Sequence, residues 1–219
     1  MKWNLPLTKE FMKILLRLSV LITLIILYLF PFKLYIADKL KKDLKIVMVT
    51  ASGSGGTGFH IKIKNKFYIL TNKHVCGKQK LLNVSYNKIR EVKEVLKISE
   101  KYDLCLVEPL FQEGVSKFNV PYKYFPVFTS GYGGLSNNSA NAGFYLSPLY
   151  VTKCLEYGKN GCSNLKTQIL DGFTLNIIKG HSGSPIVNLF GELVGIASAG
   201  SSVNSFAVPI EHVLEFINE

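Results

Sequence analysis

The chain has 219 residues, nearly half of them hydrophobic, and a formal charge of +11, so it can build a substantial core and is not a disordered polymer. The charge is uneven: residues 1 to 45 carry nine Lys/Arg against three acids, the remainder 17 against 12. More than half of the excess therefore flanks one hydrophobic segment, where basic residues contact lipid headgroups or set topology, and with no RNP-like aromatic motif present nucleic acid is excluded as the expected partner.

In chain order, a basic tail over residues 1–13 leads into the apolar segment. Leu18 to Phe32 carries no charge, and the run reaches back to Ile14 if Arg17 snorkels to the interface. Tyr28, Phe30, Phe32 and Tyr35 crowd its far end as an interfacial belt would. A cleaved signal peptide is the competing reading, but Leu29-Phe30-Pro31-Phe32-Lys33 has no small residues in A-x-A spacing. The expectation is a retained transmembrane helix serving as signal-anchor over 14–36, then a charged juxtamembrane linker over 37–45.

From residue 46 onward, short runs rich in Val, Ile, Leu and Tyr alternate with Gly, Asn and Ser clusters, the pattern of an all-β chain. Strands are expected near Ile46–Ala51, Gly58–Lys64, Phe67–Thr71, Leu81–Ser85, Ile89–Ile98 and Leu104–Glu108. A second set is expected near Phe144–Lys153, Thr167–Leu170, Thr174–Asn176, Pro185–Asn188, Glu192–Ser198 and Ser205–Val208. Between the sets, Pro121 to Asn141 reads as a connection because it is rich in Pro, Gly, Ser and Asn. Pro209 to Ile217 shows helical spacing with Pro at a first-turn position. Two β sets closed by a helix suggest two packed antiparallel barrels, about 46–120 and 125–208, with a short helix over 209–218.

Four cysteines, Cys76, Cys105, Cys154 and Cys162, form neither a CxxC pair nor a zinc-finger cluster, so no metal site is expected. Cys154 and Cys162 bracket the turn-like Gly158-Lys159-Asn160-Gly161 and read either as a disulfide, in an oxidising compartment, or as two separate thiols.

The sharpest local pattern is Gly180-His181-Ser182-Gly183-Ser184-Pro185. An acylating serine needs a hydroxyl presented on a tight turn and backbone N–H groups aimed at the oxyanion, here those of Gly180 and Ser182. An ordinary Ser/Gly turn would read similarly. The base it requires is offered by His74 in Thr71-Asn72-Lys73-His74, just past a hydrophobic run, whereas His60 lies in an expected strand, His212 in the terminal helix, and His181 beside the serine with its ring directed away. Asp103, leading into Leu104-Cys105-Leu106-Val107, is the carboxylate that would orient the imidazole; Asp171 is a rival that reads as a turn residue.

Taken in the order His74, Asp103, Ser182, these segments resemble the trypsin-like serine proteases, and in their spacing the compact bacterial members of the HtrA-like and glutamyl-endopeptidase-like kind. Gly56-Thr57-Gly58-Phe59, Gly195-Ile196-Ala197-Ser198-Ala199-Gly200 and Phe206-Ala207-Val208-Pro209-Ile210 are similar to further family segments. The resemblance implies two barrels with the catalytic cleft between them, a peptide or protein substrate, no cofactor, and a primary pocket lined by Asn176, Ser198, Ala199, Gly200 and Asn204. With no acid among these, small or medium uncharged side chains are expected before the scissile bond. Two departures stand out. His181 replaces the Asp of digestive members, removing the ion pair formed after N-terminal cleavage, and Cys76 matches a family cysteine whose usual upstream partner is missing near Phe59. The expected function is a single-pass membrane serine endopeptidase with its protease domain on the non-cytoplasmic side; the alternative is a silent peptide-binding or scaffolding member of the fold.

Overall fold

The computed structural model describes residues 12–20, 35, 39–40, 42–134, 137–158, 161–200 and 204–219, with the side chains of 137–138, 153–158 and 161–166 left aside. Residues 12–20 are helical, with Ile14, Leu16 and Leu18 exposed. Most of the span expected over 14–36 falls outside the described residues, and among those described no helix is long and apolar enough to cross a membrane. Ala37–Glu219 forms a compact unit of its own.

The first six strands of this unit are β1 (Val47–Ala51), β2 (Ser54–Ile63), β3 (Lys66–Thr71), β4 (Leu81–Tyr86), β5 (Ile89–Ile98) and β6 (Cys105–Val107), with the single-turn helix α1 (Lys73–Cys76) between β3 and β4. They close into an antiparallel barrel in the order β1-β2-β3-β6-β5-β4. Alternation places Val47, Val49, Ile69, Leu82, Val84 and Val107 inside while Leu81 and Asn83 face out. The β2–β3 turn at Lys64 and Asn65 has positive φ at both residues, the twist that a two-residue hairpin requires.

A second closed barrel follows in the order β10-β11-β12-β9-β8-β7. Its strands are β7 (Pro126–Gly133), β8 (Asn137–Gly158), β9 (Gly161–Phe173), β10 (Pro185–Asn188), β11 (Leu193–Gly200) and β12 (Ser205–Pro209), and α2 (Ile210–Asn218) ends the fold. The segment read as a connection over 121–141 contains β7 and the start of β8, which corrects that reading. Its small residues are demanded by packing rather than by turns: a Cβ on Gly131 would meet Ser184 Oγ and Thr57 Oγ1, and one on Gly133 would meet Ile178. Thr174–Asn176, expected as a strand, carries no regular structure, because β9 ends at Phe173 where it pairs with Tyr145 and Ser205. The backbone register of β8 and β9 pairs Cys162 with Tyr157 and Cys154 with Leu165; the side chains of both cysteines lie outside the described residues.

A disulfide does join Cys76 to Cys105. Cys76, which lacks its usual partner upstream, finds one 29 residues downstream, from the end of α1 to the start of β6. Closing a loop of this length stabilises the fold by about 3–4 kcal/mol in the chain-entropy account. The terminal helix adds a second tie to the same region. Tyr102 stacks on His212 with ring centroids 4.3 Å apart and donates from its hydroxyl to Glu215, Lys101 pairs with Glu215 at 2.6 Å, and Lys97 Nζ donates to Phe216 O at 2.8 Å.

His60 fastens the chain entering barrel one. Its Nδ1–H donates to Lys45 O at 2.8 Å, while Nε2 accepts the N–H groups of Leu110 and Phe111 at 3.0 and 3.1 Å. A proton on Nε2 would confront two donors, so the ring is held neutral; burial is the main cause that lowers its pKa from 6.5 to about 4. Because the folded pKa lies below the unfolded one, the full contribution exists above pH 6.5 and is lost as pH falls through about 4, a change of about 3 kcal/mol. Urea midpoints measured across pH 7 to 4 are expected to fall more steeply for the wild type than for His60→Gln, whose baseline is lower. Parallel curves would remove His60 as the cause.

Candidate active site

Asp103 lies in the loop between β5 and β6, immediately before the strand, and its carboxylate is the hub of the site. Oδ1 accepts the backbone N–H of His74 at 3.0 Å, and Oδ2 accepts both the Nδ1–H of His74 at 2.7 Å and the hydroxyl of Ser198 at 2.7 Å. Asn72, capping position of α1, donates from Nδ2 to Asp103 O at 2.9 Å. Burial pushes the Asp103 carboxyl up, but the hydrogen bond and charge of His74, the Ser198 hydroxyl and the His74 N–H outweigh it and hold the pKa below its ordinary value. The carboxylate is thus charged at neutral pH, and it fixes His74 as the Nδ1–H tautomer with Nε2 facing away from Asp103.

Ser198 reaches both sides of the cleft because β11 carries a bulge. Ala197 pairs with Ala207 and Ala199 with Phe206, leaving Ser198 as the extra residue, re-aimed out of the ladder. Its hydroxyl goes to Asp103, and its carbonyl accepts the hydroxyl of Ser182 at 3.1 Å. The three residues singled out by sequence are therefore joined as His74–Asp103–Ser198–Ser182. Gly56 lies at the junction of the two barrels, where an added Cβ would meet Ser182 O and Val75 Cγ2, each at 2.6 Å.

The turn holding Ser182 is built on Thr57. Thr57 N–H donates to Ser182 O at 2.8 Å, its hydroxyl donates to Gly180 O at 2.8 Å and accepts Tyr132 N–H at 2.9 Å, and its carbonyl accepts the Thr71 hydroxyl at 2.6 Å. Gly183 has φ +87, and a Cβ there would sit 2.0 Å from Thr57 O, so no other residue fits. Within the turn, His181 N–H goes to Ile178 O, Gly183 N–H to Ala197 O and Ser184 N–H to His181 O. Among the described residues the N–H groups of Gly180 and Ser182 make no backbone hydrogen bond.

The remaining candidates sort by position. His181 is buried and directed away from the cleft, its Nε2 in a 2.6 Å hydrogen bond with Ser139 Oγ, and burial lowers its pKa. Asp171 is engaged elsewhere: it is buried on β9, accepts the Tyr145 hydroxyl at 3.2 Å, and burial raises its pKa to about 6. Asn176 is exposed on the irregular segment after β9, Ala199 and Gly200 are exposed at the end of β11, and Asn204 is exposed before β12. The residue next to Asn176 matters more. Ile177 is buried against Gly200, where a Cβ would lie 2.6 Å from Ile177 Cβ, so these two walls touch. A cleft of about 300 Å³ runs beside Asp103, lined by Tyr102, Gln168, Leu170 and His212 among others. Among the described residues no cluster of His, Cys, Asp or Glu could hold a metal ion.

Residue-by-residue reading missed the Ser198 hydroxyl, Thr57 as the brace, and the partner of Cys76. The last had a signal: Cys76 and Cys105 each stand two residues beyond His74 and Asp103.

Comparison with known proteins bears on the fold. Residues 56–196 match the trypsin-like peptidase domain family, and the chain belongs to it. No curated protein matches the sequence. Among solved structures, the active form of the Rv3671c protease from M. tuberculosis superposes with a TM-score of 0.70 at 18% identity, covering 83% of this chain and 82% of that one. The serine endoprotease from Yersinia pestis gives 0.61 at 20% identity, with 83% and 65% covered, and the MamO protease domain from Magnetospirillum magneticum 0.60 at 20%, with 79% and 95% covered. At these identities the likeness is one of fold.

Proposed function

We propose that the chain is a membrane-tethered serine endopeptidase in which His74, Asp103 and Ser182 are the catalytic triad. The observation that carries this reading is the hydrogen-bonded path His74–Asp103–Ser198–Ser182 across the two barrels. In the resting arrangement the Ser182 hydroxyl donates to Ser198 O. For acylation it turns to His74 Nε2, which takes its proton as the oxygen attacks a peptide carbonyl. The N–H groups of Gly180 and Ser182 hold the oxyanion, and the imidazolium, stabilised by Asp103, then protonates the leaving amine. Water reverses the roles to release the acid. Side chains and backbone alone perform these steps.

Full-length protein in detergent is expected to react covalently with a fluorophosphonate probe, and Ser182→Ala or His74→Ala to abolish the reaction. Asp103→Asn should keep the fold while cutting turnover by up to ~10⁴ through the wrong tautomer. Equal labelling of wild type and Ser182→Ala would leave a silent peptide-binding member of the fold as the better reading.

The contact of Ile177 with Gly200 and the lack of an acid at Asn176, Ser198 or Asn204 favour small, uncharged side chains before the scissile bond. A peptide library should return such a profile; one dominated by Lys or Arg contradicts it.

For topology, the reading is a cytoplasmic N-terminus, a span over 14–36 and a domain on the opposite side. Four positive charges precede the uncharged stretch and five follow it closely, so counting alone slightly favours the reverse, and the reading rests instead on the basic start followed by an apolar core. The Cys76–Cys105 disulfide supports export, since such bonds persist in oxidising compartments. In sealed vesicles of known orientation, added protease should reach the domain from the non-cytoplasmic face, and Cys76 and Cys105 should alkylate only after denaturation with reductant. Digestion from the cytoplasmic face alone, with free thiols, would place the domain inside.

A further inference from the structure

We propose that the Cys76–Cys105 disulfide is a positioning element of the His74–Asp103 pair, so that turnover as well as stability depends on it. The inference rests on the triad reading above.

Four observations carry it. The first is placement. Each cysteine stands two residues beyond one member of the pair, so the covalent link runs parallel to the 2.7 Å hydrogen bond between His74 and Asp103. The second is the shortness of the elements that carry the pair. α1 has four residues and β6 three, and neither length supports a fixed geometry of its own. The third is exposure. The side chains of His74 and Asp103 are 43% and 20% exposed, so water competes for their hydrogen bonds, whereas Cys76 and Cys105 are both at 0%. The dry side of the contact is the cystine. The fourth is the nature of the other ties: the pairing of Thr71 with Cys105, His74 N–H to Asp103 Oδ1, Asn72 Nδ2 to Asp103 O and Lys73 Nζ to Ser99 O are all hydrogen bonds, and the cystine alone is covalent. A general base displaced by about 1 Å loses on the order of a hundredfold in rate. A buried covalent link two residues from each partner removes the hinge through which such displacement would occur.

The test uses full-length protein in detergent, with Cys154→Ser and Cys162→Ser as background so that one cystine remains. Hydrolysis of a p-nitrophenyl ester is compared between this background and the same chain with Cys76→Ala and Cys105→Ala. Loss of the link is expected to lower kcat by about ten- to a hundredfold with KM within about threefold. A link that only stabilises the fold would lower Tm and leave kcat in place, and that result overturns the inference.

If the doubly substituted chain does not fold, the linked protein is reduced with a water-soluble phosphine, which with one water yields two thiols and the phosphine oxide, and the thiols are capped with iodoacetamide. Turnover lost in step with capping, while circular dichroism stays native, supports the positioning role. Turnover retained in capped, folded protein, or lost only together with the dichroism signal, overturns it. The two readings separate cleanly: a linked protein that fails to label with fluorophosphonate overturns the triad and the inference with it, whereas normal labelling with an unchanged kcat after unlinking overturns the inference alone.

Discussion

Everything in the cleft depends on the docking of one barrel's turn onto the other barrel's second strand at Thr57. This residue is fully buried and uses its N–H, hydroxyl and carbonyl at once, on Ser182, Gly180, Tyr132 and Thr71. A buried backbone carbonyl or N–H left unpaired costs about 1–3 kcal/mol, so Thr57 makes the approach of the two barrels a condition for satisfying both. The close contacts at Gly56 and Gly183 have the same origin, because the turn and strand approach nearer than side chains allow. Valine at position 57 would keep the shape and lose the hydroxyl that holds Gly180 O.

The electrostatics follow from that docking. Asp103 would resist ionisation where it is buried, and it is kept charged only because His74 supplies two donors and Ser198 a third. The third comes from the other barrel, through the bulge in β11. Barrel two thus contributes one of the three donors that keep a carboxylate of barrel one charged. Asp171 shows the contrast: buried with one phenol as its donor, it holds its proton to about pH 6.

Much of this was legible in the sequence, for reasons that differ by element. β5 was legible from its alternation, β10 as a short apolar run that the fold buries throughout, and α2 from its apolar spacing. β7 was not legible. Its Gly131 and Gly133 are small because Ser184 and Ile178 press on them, and small residues read as loop when the neighbour that needs them is about fifty positions away. His74, Asp103 and Ser182 were singled out by residue type and by family-like segments, and the fold joins them in one hydrogen-bonded path through Ser198. The donor from Ser198 to Asp103 was invisible, since it depends on a bulge that only the pairing of β11 with β12 creates. The pairing of Cys76 was hidden by looking upstream for its partner when the strand that faces it comes later in the chain.

The clamp of α2 on the loop before Asp103 ties function to the order in which the chain is made. Tyr102 and Lys101 are held by His212 and Glu215, which follow every strand in sequence. A nascent chain has all of barrel one, His74 and Asp103 included, long before Ser198, Ser182 and this helix emerge. Through that interval the loop lacks its clamp and the carboxylate lacks its third donor. The setting of Asp103 is therefore completed only when β11 and this helix have been made, however early barrel one closes.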